Sequence, residues 1–359
     1  MKKWLITCLS VSVIAGCSPS PPILEDLQFV QSIGYDYVDK NSIKGSVSVP
    51  VIQSGMNSQT KSEIFTAVAH TSKDFGRIIQ SQSQKPIETG RLGVALYGKE
   101  LANKKGIFEM LDSIYRDPRI SKEVHLAVVE GKAYEMLNYR YPISDTTSKY
   151  LIGLIEQNAE QYLPKVDVHT FMYQYFGKGM DPFMPLLRRE GDKIQVKGIA
   201  LFKGDKYIDY IGFKEAFLFK MLYEDSKKGF FNIKLDNDLY VSIENISSSV
   251  NYKVRKSNMN PKFSIYLKLK GRVVEGTRIP LGNKNKIQSI EKEVRYNIKK
   301  RGQKMVSQFQ KLKIDPLGIG DRVKSQTRKF DFRNWEDQYS EIPIELNVDV
   351  QITQTMSVE

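Results

Sequence analysis

Phe263-Ser264-Ile265-Tyr266-Leu267-Lys268-Leu269-Lys270 decides the fold class. Apolar residues occupy every second position, the period of a strand with one face packed and the other wet. A second run repeats the pattern. Ile344, Leu346, Val348, Val350 and Ile352 alternate with Glu345, Asn347, Asp349 and Gln351. Between them, residues Lys284 to Leu312 change to helical spacing, with Ile287, Ile290, Val294, Ile298, Met305, Phe309 and Leu312 on one stripe. Gly302 reads as a weak point in that helix. These three segments predict an antiparallel C-terminal sheet packed with a long amphipathic helix.

Working back toward the N-terminus, the texture breaks between Phe176 and Lys193, where Gly177, Gly179, Pro182, Pro185 and Gly191 cluster. We place the domain boundary there, between 190 and 191. Before it, strands and helices alternate. Strands are expected at Phe29-Val30, Ile33–Val38, Ser46–Ile52, Ile64–Val68 and Leu92–Tyr97, and Val124–Val129 is a short buried-type run. Helices are expected at Lys73–Ser81 and Lys104–Tyr115, the second stopped before Pro118. Asp145-Thr146-Thr147 caps a third, whose buried face carries Leu151, Leu154, Ile155 and Tyr162. The class is α+β and multi-domain, with a mixed α/β region over 23–190, divisible into two subdomains, and a C-terminal domain over 191–359.

The 359 residues carry 54 basic and 41 acidic side chains, for a net charge of +13. With 41% hydrophobic and 26% charged residues, the chain is neither a multi-span membrane protein nor largely disordered. Its two cysteines, Cys8 and Cys17, both lie in the first 17 residues. That excludes a Cys-type zinc site or a Cys nucleophile deep in the fold.

Those 17 residues read as a lipoprotein signal. Met1-Lys2-Lys3 is a basic start. Trp4 to Ala15 is an uncharged, mostly apolar stretch, about 18 Å long as a helix against a hydrocarbon core of roughly 30 Å. It is a signal core rather than a span. Ile14-Ala15-Gly16-Cys17 resembles the lipobox of bacterial lipoproteins, with Ile where Leu is usual. The Cys17 thiol is the expected site of S-diacylglycerol, with N-acylation (palmitate) after cleavage behind residue 16. Ser18-Pro19-Ser20-Pro21-Pro22 follows as a tether, over 17–22. Losing Lys2 and Lys3 from +13 leaves +11. Two or three acyl chains, at about 0.8 kcal/mol per buried methylene, hold a chain durably on the outer face of a membrane.

Motifs of chemistry are missing. His70, His125 and His169 lack metal-ligand spacing, and no phosphate loop, dinucleotide fingerprint or nucleophile elbow is present. Asp236-Asn237-Asp238 begins like a calcium loop, but Val241 stands where the glycine belongs, so it reads as a hairpin turn. No cofactor, metal or catalytic residue is assigned, and the chain reads as a non-enzyme. Residues 284–313 hold ten Lys or Arg against Glu291 and Glu293. Such a helix is either a solvated outer face or a surface for anionic lipid. Nucleic acid is no partner of an exported lipoprotein.

Six stretches in order resemble the Ger(x)C family, the C subunits of nutrient germinant receptors of endospore-forming bacteria. They are Leu24–Leu27 with Ile33–Tyr37; Gly98–Ala102 with Lys105–Ile107; Tyr115–Arg119; Gly198–Asp205; Leu267–Glu275; and Asp315–Gly320, with Trp335 before the last strand. Downstream of Asp205, Asp209-Tyr210-Ile211 and Glu215-Ala216-Phe217 depart from the family's usual Gly and acidic-Thr pair. Gly106, Gly318 and Gly320 are expected at positive φ, Asp117-Pro118 and Asp315-Pro316 at helix ends, and Arg116 and Asp117 in internal ion pairs. The resemblance implies a subunit required for the nutrient response, anchored at the inner spore membrane beside membrane-embedded A and B type subunits, with no cofactor. The alternatives are a solute-binding lipoprotein of a transporter, which needs two similar α/β lobes, and a cell-wall-associated structural lipoprotein.

Overall fold

The computed structural model describes residues 24–52, 60–143, 145–234, 240–255, 262–276, 284–326 and 335–353. A short 3-10 turn (Leu24–Asp26) leads into β1 (Gln28–Phe29), β2 (Ser32–Tyr37), β3 (Ile43–Ile52) and β4 (Thr60–Ala69). Then come α1 (Ser72–Gln80), β5 (Ile87–Glu88), β6 (Val94–Gly98), α2 (Lys99–Lys104), α3 (Phe108–Arg116) and β7 (His125–Val129). Helices α4 (Ala133–Asn138), α5 (Thr147–Gln161) and α6 (Val168–Phe176) precede β8 (Phe183–Glu190), β9 (Lys193–Lys203) and β10 (Lys206–Gly212). The remainder is α7 (Phe213–Tyr223), β11 (Phe230–Lys234), β12 (Tyr240–Arg255), β13 (Lys262–Gly276), α8 (Lys284–Leu312), α9 (Ile319–Gln326), α10 (Trp335–Glu341) and β14 (Ile344–Thr353).

Eight strands form the first sheet, in the order β10-β9-β8-β7-β6-β2-β3-β4. Its centre, β8-β7-β6-β2, is parallel, and antiparallel strands extend both edges. Every residue of β6 and β7 is buried, as expected of central parallel strands covered on both faces. Strand β2 shows the layering. Ser32, Gly34 and Asp36 face α4 and α5, where the Ser32 and Ser148 hydroxyls lie 2.8 Å apart and a Cβ on Gly34 would meet Ala133. Ile33 and Tyr35 face the other way, with the Tyr35 ring edge-on to Phe75 of α1 at 6.2 Å.

The division expected at 190/191 falls inside this sheet. Glu190 pairs with Lys193 across the β8–β9 turn, and β9 and β10 complete the edge beyond β8. Gly177, Gly179 and Pro182 mark a loop and Gly191 a hairpin turn, while Pro185 lies within β8; loop and turn share the composition of a linker.

A second sheet runs β11-β12-β13-β14. It is antiparallel through β13, and β14 joins in parallel, Phe263 opposite Ile344 through Arg272 opposite Thr353. A parallel neighbour needs a long crossover, which α8, α9 and α10 supply. Helix α8 buries Ile287, Ile290, Val294, Ile298, Met305 and Phe309 and packs along β14. It runs unbroken through Gly302, where a Cβ would meet Leu346 Cδ2 at 2.4 Å. The expected weak point is a close approach of helix to sheet. The helix ends at Lys313, in the left-handed region at φ 53°, with Ile314 N–H donating to Phe309 O at 3.0 Å. Asp236–Asp238 lies outside the described residues, between antiparallel β11 and β12.

Candidate functional site

Cys17 and its tether lie outside the described residues. The described chain begins at Leu24, and Gln28 and Phe29 then pair parallel with Ile87 and Glu88. Lys85 Nζ donates to Glu25 O at 2.6 Å and ties this end down. Six residues lie between 17 and 24, and the seven steps reach at most roughly 24 Å.

Distant motifs of the sequence meet in the fold. Residues 99–116, expected as one helix from 104, form two helices broken at Gly106, whose φ is 89°. The break receives Asp205 from the β9–β10 turn. Its carboxylate accepts the Phe108 N–H at 3.1 Å and its carbonyl accepts the Ile107 N–H at 3.2 Å. Asp36 is buried and accepts the Ala133 and Tyr134 N–H groups at 2.7 and 2.8 Å, holding the start of α4. Burial raises its pKa, and those two N–H donors oppose the rise.

Asp315 forms the third junction. Its two carboxylate oxygens accept the N–H groups of Ile319 and Gly320 at 2.9 and 2.7 Å. Asp181 returns from the loop before β8, its carboxylate accepting Asp315 N–H at 2.7 Å and its N–H donating to Asp315 O at 2.9 Å. Burial pushes the Asp315 pKa up to about 7, the two N–H donors opposing it and the Asp181 charge adding to it. Gly318 takes positive φ, at 64°, as expected. Gly320 does not. It opens α9, and a Cβ there would strike Gly179 Cα and the Trp335 ring, each at 2.6 Å.

Ion pairs absorb much of the remaining charge. Arg116 pairs with Asp112 at 2.7 Å, and Asp117 with Arg119 at 2.8 Å. Arg272 of β13 pairs with Glu244 of β12. On the basic helix, Arg301 binds Glu215 of α7 through Nε at 3.1 and 3.0 Å, and Asp209 accepts from Gln308 Nε2 at 2.8 Å. Asp209 of β10 thus ties α8 to the first sheet, and Glu215 ties it to α7. Lys286, Lys292, Arg295, Lys299, Lys300, Lys304 and Lys311 are exposed, the outer face of an amphipathic helix.

Periodicity missed α7, because Ala216 to Leu222 are buried all round and show no amphipathic stripe. Within it, Lys220 is buried, donates to Ala159 O at 2.5 Å and Leu163 O at 2.8 Å, and pairs with Glu224 at 3.1 Å. A lysine amid Phe217, Phe219 and Leu222 was the available signal.

Of the histidines, His70 Nδ1 lies 3.0 Å from Asn41 O, His125 Nε2 lies 3.2 Å from Glu156, and His169 is exposed. Among the described residues no group of three or more His, Cys, Asp or Glu could hold a metal ion. No helix among them is long and apolar enough to cross a membrane. The buried carboxylates that come together accept backbone N–H groups and fix chain junctions; this arrangement is architectural.

Residues 21–189 match the family model described as the spore germination protein N-terminal domain, and 197–356 match that of the spore germination B3/GerAC-like C-terminal domain. The chain is 27% identical over 359 residues to spore germination protein GerQC of Bacillus cereus, covering 99% of each. It is 20% identical over 392 residues to spore germination protein KC of Bacillus subtilis, covering 98% of this chain and 95% of that one. The crystal structure of the GerBC protein superposes with a TM-score of 0.61 at 17% identity, over 89% of this chain and 96% of that one, and shows a shared fold. With one germination domain following the other along nearly its whole length, the chain belongs to the GerAC-like family of spore germination proteins.

Proposed function

We propose that the chain is a lipid-anchored, non-catalytic subunit of a nutrient germinant receptor, required for the spore's response to nutrients. Acyl chains on Cys17 hold it on the outer face of the inner spore membrane, beside A and B type subunits that carry the membrane spans. The observation that supports this best is the pair of germination domains over 21–189 and 197–356, standing directly behind a lipobox. The interior agrees with it. Asp36, Asp205 and Lys220 spend polar atoms on backbone groups of distant segments and Asp315 on those of the turn that follows it, so the chemistry of this chain is contact. Confinement to a thin layer raises the effective concentration of a subunit near its partners, so a weak interface is well occupied. No cofactor and no nucleic acid enter the reading.

The test is a deletion in a strain lacking sibling receptors, scored by loss of spore refractility across a panel of amino acids and sugars. Nutrient germination is expected to vanish while a detergent-like trigger still works. Full nutrient germination through the remaining subunits would overturn the proposal.

A further inference from the structure

Exposed cations on the shorter helices have an acid one turn away. Lys104 pairs with Glu100 at 2.8 Å, Arg116 with Asp112 at 2.7 Å and Lys149 with Asp145 at 2.9 Å. Helix α8 is built differently. Lys292, Arg295, Tyr296, Lys299, Lys300 and Lys304 are exposed, and their spacing puts them on one face. From 285 to 304 no exposed position of the helix is acidic. Glu291 is half-buried and accepts the Ile352 N–H at 2.8 Å, and Glu293 is half-buried too.

Two features of this face call for a partner outside the chain. Arg295 with Lys299, and Lys300 with Lys304, stand four residues apart, the spacing at which like charges destabilise a helix. The ion pairs at this helix and its end are Arg301 with Glu215 and Lys313 with Asp337, so those four cations have no carboxylate partner among the described residues. Tyr296 is 58% exposed in their midst, and Lys300 Nζ lies 5.7 Å from its ring centroid. Tyrosine among lysines suits a membrane–water interface, where the ring settles at headgroup level and the cations meet lipid phosphates. From behind, the helix is fixed by the close approach of Gly302 to Leu346 and by the Gln308–Asp209 bond, so the face is presented as a rigid unit.

We propose that this face of α8 docks on the surface of an anionic phospholipid bilayer. Lys292, Arg295, Lys299 and Lys300 reach the phosphates, and Tyr296 enters the headgroup layer. Each cation brought to such a surface strengthens binding about fivefold. The choice of lipid over another polyanion rests on the proposed anchor at Cys17, which sets the chain beside a membrane. A single tether leaves the folded body free to turn, and a second contact fixes the side it shows to the bilayer. The two attachments are well separated: the chain enters the first sheet at β2, whereas Asp209 holds α8 at β10, five strands away.

The experiment is vesicle flotation of residues 17–359, which include every described residue, made without acyl chains so that the anchor plays no part. Phosphatidylglycerol and phosphatidylcholine vesicles are the probes, in about 0.1 M and about 1 M salt, where the Debye length is about 10 and about 3 Å. Binding to phosphatidylglycerol is expected to be at least tenfold tighter than to phosphatidylcholine, and to vanish at the higher salt. Lys292→Gln, Lys299→Gln and Lys300→Gln combined should weaken it at least tenfold, with far-UV circular dichroism unchanged. The control combines Lys262→Gln, Lys268→Gln and Lys270→Gln, exposed lysines of β13 on the face of the second sheet turned away from α8. It removes the same charge and should change binding less than threefold. Acetylation of the parent, read by mass spectrometry, measures the same contact without a variant: Lys292, Lys299 and Lys300 should be protected on phosphatidylglycerol vesicles, and the control lysines should not. Equal binding to both lipids, binding that survives high salt, equal loss in the two variants, parental affinity in the folded α8 variant or absence of that protection would overturn the proposal. Each of these outcomes leaves the anchor and the receptor reading to their own tests.

Discussion

Asp205 caps the helix that begins at Phe108, from 97 residues away, its carboxylate accepting the Phe108 N–H at 3.1 Å. Two motifs that look independent along the chain, Lys105-Gly106-Ile107 and Lys203-Gly204-Asp205, are therefore one structural unit. Gly106 leaves the room, since a Cβ there would stand 2.2 Å from Asp205 Oδ2, in a backbone conformation that already strains any other residue. Asp205→Ala should lower stability by about 1 kcal/mol, the usual worth of a helix cap. Gly106→Ala should cost more, about 2 kcal/mol, because strain and the clash add to the lost cap. Urea midpoints of the two variants check the order.

From inside α7, Lys220 binds the Ala159 carbonyl in the last turn of α5 and the Leu163 carbonyl just beyond it. Lys220→Met keeps the apolar stem but leaves Ala159 O and Leu163 O without their donor and Glu224 without its cation. The expected loss is about 2–4 kcal/mol. It should appear as a lower denaturant midpoint with an unchanged slope.

The pH dependence of stability should carry the signature of Asp315. Its pKa is raised from 3.8 to about 7 in the fold, so between those values the native state holds a proton that the unfolded chain has released. Its contribution is present in full below pH 4 and is lost as pH rises through 7. In Asp315→Asn this loss disappears, so the stability advantage of the parent over the variant should shrink steadily from pH 4 to pH 8. Thermal melts of both proteins across that range provide the check. An advantage that stays constant would mean that Asp315 is ionised throughout.

Cleavage at the exposed turn between Glu190 and Lys193 should nick the chain without separating it. Eight register pairs join β8 to β9, and their backbone hydrogen bonds persist after one peptide bond is cut. Native size-exclusion of the nicked protein should give one peak, and a denaturing gel two bands.

Cys17→Ala should block diacylglyceryl transfer and leave uncleaved precursor, with the folded region intact, since the described chain starts seven residues later. Mass spectrometry of the parent should find Cys17 acylated. Mature protein with an unmodified Cys17 thiol would reject the anchor.

Local features were legible before the structure. Strands with strict alternation, such as 263–270 and 344–352, and the helix Lys284–Leu312 follow from periodicity, because burial on one face imposes period two or 3.6 on the residues themselves. The fully buried α7 imposes no period, so it passed unseen. Gly320 was expected to need positive φ, but its smallness serves a contact with Gly179 and Trp335 that no local pattern encodes.

By itself the sequence determined the class of the fold, the alternation of its elements, the likeness of Ile14–Cys17 to a lipobox and the six ordered stretches of the germination family. Each is a property of neighbouring residues or of their order along the chain. Only the tertiary structure decided that β9 and β10 pair onto the edge of the first sheet beyond β8, and that β14 lies parallel to β13. It alone brought Asp205 to Phe108 and Asp181 to Asp315. Those relationships join residues tens to more than a hundred positions apart. What selects them is the satisfaction of buried backbone N–H and C=O groups and the filling of space between layers, conditions that exist only once the chain has closed on itself.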